Sequence, residues 1–192
     1  HRKASLIMHT DPLDQEGPNL FHVVKMLDII DNVVFSNDRI GFDSMNTLYN
    51  TCDVVVNRSC AEGFGLSVLE AKMCGKPVIS IKTGGLTRQV LDHETGDELG
   101  VALEPETKCL VGNQLVPYIY EDFVTHETVA NAFMKMYLLS PVEKKELSEK
   151  CYAHALKHYD LPTLIKQWDD SIQDLLSTWS IDTHERWRVI EL

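Results

Sequence analysis

Ala61-Glu62-Gly63-Phe64-Gly65-Leu66-Ser67-Val68-Leu69-Glu70-Ala71 is the stretch on which the reading of the fold turns. It comes after the apolar run Val54-Val55-Val56 and leads into a helical pattern that stops at Cys74-Gly75-Lys76-Pro77. The order is therefore strand, glycine-bearing loop, helix. Such a loop leaves backbone N–H groups at a helix N-terminus with little side-chain bulk in front of them, and the helix dipole favours an anion there. Glu62 precedes the helix and Glu70 lies within it. At ~1.5 Å rise per residue, Glu70 falls roughly 7–8 Å along the axis from Gly65. One ligand can then meet both carboxylates if a diphosphate separates two hydroxyl-rich groups, as in a nucleotide sugar.

Working outward, strands and helices alternate. Ala4 to His9 reads as a buried strand, 11–18 as a breaker-rich loop, 19–27 as a helix and 32–36 as a strand. The next helix covers 44–51, with Met45, Leu48, Tyr49 and Cys52 at helical spacing. Then come a strand over 53–57, the loop 58–64, a helix over 65–74 and a strand over 77–81. Gly84-Gly85 opens a short helix ending near Leu91, a turn occupies 95–97, and 101–104 is a further strand. This alternation predicts an α/β fold with a Rossmann-like parallel sheet, flanking helices and right-handed crossovers. The last third reads as helical. Thr125 caps a helix over 126–139, and Ser140-Pro141-Val142-Glu143 carries a capping box with proline in the first turn of a helix reaching about His158. From Leu161 to Trp179, apolar residues recur every three or four positions, which predicts one long amphipathic helix, packed on the domain or, with the tail to Leu192, crossing to an absent N-terminal domain. The expected division is a nucleotide-sugar-binding domain over 1–160 and a helix and tail over 161–192.

The chain of 192 residues carries 44% hydrophobic and 24% charged residues, an ordinary balance for a globular domain. No apolar run approaches the ~20 residues of a membrane helix. Because the chain begins with His1, its natural start is expected to lie upstream. The net charge of −11 argues against nucleic-acid binding by this domain alone. Residues 56–90 are different: Arg58, Lys72, Lys76, Lys82 and Arg88 face only Glu62 and Glu70, a net +3 that suits a diphosphate. Taken singly, Lys72, Lys76 and Lys82 read as solvated surface lysines. The five cysteines, Cys52, Cys60, Cys74, Cys109 and Cys151, form no C-x-x-C pair. They read as small buried hydrophobes of a reducing cytosol, with neither a metal site nor a disulfide framework.

The Glu-x7-Glu pattern in EGFGLSVLEA resembles the donor-site motif of retaining glycosyltransferases of family four, which have the GT-B fold. Tyr49 to Ser59 is similar to the strand and loop before that motif; Gly75 to Ile79 and Gly84-Gly85-Leu86 are similar to the segments after it. The likeness covers most of 4–160 and is strongest over 48–96. Val116 to Asp122 and the ending Trp187 to Leu192 look like glycosyltransferases carried by large bacteriophages.

The resemblance implies the C-terminal, donor-binding half of a GT-B enzyme. Its substrate would be a UDP- or GDP-linked sugar, transferred with retention and without a metal or other cofactor. Front-face attack with a departing diphosphate places negative charge where N–H dipoles and basic side chains stabilise it. Glu62 would meet donor-sugar hydroxyls at the reacting carbon. The amides of Phe64, Gly65, Leu66 and Ser67 would hold the sugar and diphosphate, Glu70 the ribose, and the loop from Ser36 the base. Arg58 would reach the phosphate or form a surface ion pair. Each has a plainer reading: Glu70 as a solvated helix residue, Glu62 as a cap, Ser67 as a first-turn residue, Cys60 as loop packing. His9 reads as a hydrogen-bonded structural histidine, and Gly84 and Gly85 as backbone geometry. The family's first donor-domain strand, with its Gly-Arg and Lys-Gly signals, has no counterpart here. That implies a longer parent protein, or a strand from another chain, and an acceptor domain elsewhere. The acceptor is left open among glycans, lipids and a modified DNA base met through that other domain; the implied setting is cytoplasmic. Two other readings stand beside this one: a non-catalytic nucleotide-binding or scaffold module, and a GT-B sugar-nucleotide epimerase. A dinucleotide-binding Rossmann domain is disfavoured because no G-x-G-x-x-G comes after a first strand.

Overall fold

The computed structural model describes residues 4–179, apart from the side chain of Phe42. The similarity at Trp187 to Leu192 thus lies outside the described residues. The chain divides into two units, 1–45 and 46–192, with the boundary inside a helix.

In the first unit, β1 (Leu6–His9) pairs in parallel with β2 (Val33–Ser36), Leu6 opposite Val33 and His9 opposite Ser36. Helix α1 (Leu20–Met26) joins them, with the Asn19 side chain accepting from the His22 N–H as its cap. The expected buried strand over 4–9 is only partly buried, with Leu6 43% exposed, and Val34 of its partner β2 is 55% exposed. Each strand has one hydrogen-bonded neighbour, so this two-stranded sheet offers little cover for its faces.

The second unit begins inside α2 (Phe42–Asn50). It then runs β3 (Val55–Asn57), α3 (Leu66–Met73), β4 (Val78–Ile81), α4 (Leu86–Val90) and β5 (Gly100–Leu103). The three strands form a parallel sheet in the order β3-β4-β5. All four residues of the central strand β4 are buried, as expected for a parallel strand covered on both faces. Ile79 and Ile81 pack with Val101, Leu103, Val124 and, from α5 (His126–Leu138), Ala132 and Met136. Helices α3 and α4 pack against strands of the same sheet. This is an α/β fold with Rossmann-like parallel sheets and flanking helices.

An antiparallel hairpin, β6 (Thr107–Val111) and β7 (Ile119–Phe123), interrupts the α/β order where the sequence predicts no strand. Both strands are short; β6 is largely exposed and the one buried residue of β7 is Asp122, so no apolar alternation announces them. The helical last third is as expected. Helix α5 is capped by Thr125, and α6 (Pro141–Tyr159) opens with a complete capping box between Ser140 and Glu143. Helix α7 (Leu161–Thr178) is capped by Asp160 and has no buried residue. Its apolar stripe, including Trp168 at 65% and Leu175 at 59% exposure, is not covered by the described residues, which departs from the first of the two expected arrangements. No helix among the described residues is long and apolar enough to cross a membrane.

The cysteines need correction. Cys151 alone is buried, its thiol donating to the Leu99 carbonyl at 3.2 Å; Cys109 is exposed and the other three are half-buried. All five are free thiols.

The contrast between β4 and α7 sets two expected outcomes for urea unfolding of this chain. Ile79→Ala loses about 2–5 kcal/mol, the range for an emptied core site. Leu175→Ala changes stability by less than about 0.5 kcal/mol. A larger loss at Leu175 would mean that α7 docks on the domain in solution.

Candidate functional site

The motif loop lies between β3 and α3, at the C-terminal ends of parallel strands, where ligands of open α/β sheets gather. Because β3 pairs with β4, the loop after β4 lies beside it. The two loops meet backbone to backbone. The Gly85 N–H donates to the Glu62 carbonyl at 3.1 Å. A Cβ on Gly85 would fall 2.3 Å from the Gly63 carbonyl oxygen and 2.7 Å from Phe64 Cα. One on Gly84 would fall 2.1 Å from the Glu62 oxygen. The expectation that these glycines serve backbone geometry is thus met by a measurable close approach.

Gly65 caps α3 in the left-handed conformation, φ 86° and ψ 58°, and no side chain caps the helix. Its carbonyl accepts from Val68 and Leu69, while the Leu66 and Ser67 N–H groups have no partner among the described residues. Leu66 and Ser67 are exposed, so these donors stand at an accessible, uncapped helix start. Glu62 is half-buried and its side chain does not cap α3; the capping alternative is set aside.

Glu70 is exposed on α3, yet it is not simply solvated. The Tyr49 hydroxyl of α2 donates to its Oε2 at 2.8 Å. Tyr49 is itself buried, and burial, reinforced by the Glu70 carboxylate, holds its phenol well above the ordinary tyrosine value. The proton therefore stays on Tyr49, which acts as a fixed donor orienting Glu70. From the sequence, Tyr49 is visible only as an apolar-face position of α2.

Arg58 makes no ion pair among the described residues. Its Nη2 donates to the Val124 carbonyl at 3.1 Å, tying the loop to the chain after β7. The guanidinium retains further donors. Cys60 also acts through its backbone, its carbonyl accepting from the Asp122 N–H at 2.8 Å and the Thr83 hydroxyl at 3.3 Å. Ser36 and His9 belong to the first unit, where His9 Nδ1 and Ser36 Oγ are 3.0 Å apart. The structure thus gathers Arg58, Glu62, Phe64, Gly65, Leu66, Ser67 and Glu70 around one loop and helix, and Ser36 is placed within the other unit.

Lys72 overturns its reading as a surface lysine. It is fully buried between α3 and α6, with Nζ 3.2 Å from His154 Nδ1 and 5.1 Å from the Tyr159 ring centroid. Desolvation pulls its pKa down to about 8. Tyr159 in turn meets Phe64 edge-on, ring centroids 5.7 Å apart. The motif loop is thereby held from the sheet side by glycine contacts and from α6 by an aromatic pair. Lys82 forms an ion pair with Glu104 and is not a free cation; Lys76 Nζ lies 3.5 Å from the Asn50 carbonyl.

Residues 17–101 match the family model described as glycosyl transferases group 1. A D-inositol 3-phosphate glycosyltransferase of Arthrobacter sp. (strain FB24) is 39% identical over 67 residues, covering 35% of this chain and 16% of that protein. Among solved structures, sucrose-phosphate synthase from Thermosynechococcus elongatus has a TM-score of 0.66 at 22% identity, covering 91% of this chain and 38% of that one. Anabaena HepE in complex with UDP has a TM-score of 0.67 at 21% identity, covering 90% and 41%. The chain therefore corresponds to well under half the length of these proteins. The structural likeness shows the fold, that of GT-B neighbours, and the sequence matches support a glycosyltransferase group 1 domain in this chain.

Packing at the site sets two stability outcomes. Gly85→Ala forces the two loops apart and costs about 2–4 kcal/mol in thermal or urea unfolding, from overpacking against backbone that cannot yield. Lys72→Met stays within about 1 kcal/mol of the parent or stabilises it at pH 7, because it removes a desolvated charge at similar volume. Lys72→Ala instead leaves a cavity and costs about 2–4 kcal/mol.

Proposed function

We propose that this chain is the donor-binding part of a retaining glycosyltransferase. It takes a hexose-type sugar from a UDP- or GDP-linked donor and passes it to an acceptor bound by another domain of the same protein. The observation that carries the reading is the uncapped start of α3. Free N–H groups of Leu66 and Ser67 come directly after the left-handed Gly65, with the Tyr49-held Glu70 one turn further on. That layout matches a diphosphate at the helix start and a ribose beside the helix. The complex of HepE with UDP, at the level of fold, is in keeping with it.

In this reading Phe64, Gly65, Leu66 and Ser67 present main-chain donors to the diphosphate and sugar. Glu62 accepts from sugar hydroxyls near the reacting carbon, and Glu70 accepts from the ribose hydroxyls. Arg58, already bonded to Val124, turns its remaining donors toward phosphate. Negative charge building on the leaving phosphate oxygen is met by preorganised dipoles, so the transfer step calls for no metal ion or other cofactor. The domain spans 1–160, and residues 161–192 make contact with a further domain, a role suited to the exposed apolar stripe of α7. The strands β1 and β3 each have one free edge among the described residues, open to a further strand from the parent protein. The acceptor is a glycan, a lipid or a modified DNA base, and the setting is cytoplasmic.

Calorimetric titration with UDP, GDP and their glucose or mannose conjugates tests this reading. One-site binding to one of the two bases is expected. Glu70→Ala weakens it by about 1.5–3 kcal/mol, the range for hydrogen bonds to a charged group. Tyr49→Phe gives a smaller loss of the same sign, since it frees Glu70 without removing it. Glu62→Ala in the full-length protein lowers turnover while sparing affinity for the free nucleoside diphosphate. No binding by folded full-length protein, or an affinity indifferent to Glu70, sinks the assignment.

A further inference from the structure

The turn between α4 and β5 brings Asp92 and His93 against the last turns of α6, where His154 and His158 stand four residues apart on one helical face. One ligand atom from each of the four lies within 4.8 Å of all the others. The rings of His93 and His154 both lie close to His158, each at a centroid distance of 4.6 Å. His-x3-His on a helix is a common spacing for two zinc ligands, because positions i and i+4 share a face.

A second observation points to an absent ligand. His154 is 4% exposed and its Nε2 has no hydrogen-bond partner; the Nε2 of His158 is likewise buried and unpartnered. Two orphaned ring nitrogens in one buried cluster are costly unless something binds them. On His154, Nδ1 lies 3.2 Å from Lys72 Nζ, so Nε2 faces the cluster and serves as a metal ligand in the tautomer whose Nδ1–H donates to the Lys72 amine. Asp92 is fixed in a similar way. Its Oδ1 accepts from the Glu94 N–H at 2.8 Å and the Thr95 N–H at 3.4 Å, so Oδ2 remains. Ion pairs of Lys157 with Glu94, and of Lys150 with Asp97 at 2.9 Å, pin the turn to α6 and hold the ligand-bearing segments together.

From this geometry we propose that Asp92, His93, His154 and His158 bind one divalent transition-metal ion of the zinc class, which staples the turn after α4 to the end of α6. Three imidazoles and one carboxylate suit Zn2+, and borderline nitrogen donors disfavour Mg2+ and Ca2+. Ligand atoms of a tetrahedral zinc site sit roughly 3.3 Å apart, given bonds of about 2.0–2.1 Å. Closing from 4.8 Å or less needs only side-chain rotation, and His93, on the exposed turn, is free to make it. The ion's place is structural. Its effect passes to the motif loop through Tyr159, next to His158 and in contact with Phe64. It takes no part in the transfer step and does not depend on the donor assignment.

The test is metal uptake by tag-free protein stripped with chelator and dialysed. One equivalent of Zn2+ is expected, with a rise in melting temperature, and Co2+ should give the intense visible bands of a four-coordinate site without thiolate charge transfer. His93→Ala and His158→Gln should each weaken Zn2+ binding by more than the ~10–100-fold that loss of an outer-sphere partner costs. Both should abolish the thermal shift, while His126→Ala leaves uptake and shift unchanged. His93 is exposed, so His93→Ala decides the matter even where His158→Gln folds poorly. Absence of stoichiometric uptake, thiolate bands with Co2+, or tight binding that survives His93→Ala would overturn the proposal.

Discussion

The contact between the loop after β3 and the loop after β4 is the constraint on which the rest of the site depends. Parallel pairing of β3 with β4 brings both loops to the same end of the sheet. Residues 62–64 and 84–85 then approach more closely than any Cβ allows, so glycine is required where they touch. This contact lets Gly65 turn into the left-handed region and start α3 without a capping side chain. A capping side chain in place of Gly65 could have taken the Ser67 N–H. Bare backbone at the loops and free donors at the helix start are two consequences of one packing choice.

Around that contact, three of the groups proposed to meet the ligand are held from behind. Tyr49 on α2 fixes Glu70, Val124 after β7 fixes Arg58, and Tyr159 at the end of α6 backs Phe64. Elements distant in sequence converge on an eleven-residue motif, and none of the three supporting groups belongs to it. Preorganisation of this kind is what electrostatic stabilisation requires, because donors that must reorganise lose much of their value.

Much of this is legible in the sequence. The alternation of apolar runs with helical patterns and the capping box at Ser140 are local signals, and local signals survive folding. The motif residues are also legible, since strand, glycine loop and helix start succeed one another along the chain. The supporting groups are not. Tyr49 and Lys72 obey helical spacing, and whether such a residue is buried depends on which helix lies across from it. For Lys72 that is α6, more than 60 residues on, where a lysine placed by composition among the solvated charges becomes a buried one. The hairpin β6–β7 is hidden for the opposite reason: its strands pair with each other, β6 is largely exposed, and the buried position of β7 is the polar Asp122, so no apolar pattern is left.

The same distinction explains why the histidine cluster escapes a reading by motif. His154 and His158 share a helix face, but Asp92 and His93 lie some 60 residues earlier, and neither pair alone is a signature. What joins them is the turn after α4 meeting the end of α6, pinned there by Lys150–Asp97 and Lys157–Glu94; the same helix packs on α3, where Lys72 is buried. Burial there would be hard to account for as simple stabilisation, since an apolar interface would avoid the desolvation of an ammonium and of two unpaired imidazole nitrogens. The two unpaired imidazoles make sense if they are held for a ligand that they share with Asp92 and His93. The helix that bears two of them then ends at Tyr159, against the one aromatic side chain of the motif loop. Order at the end of α6 is therefore order at Phe64, and the stability of this interface and the shape of the donor loop are set by the same few residues.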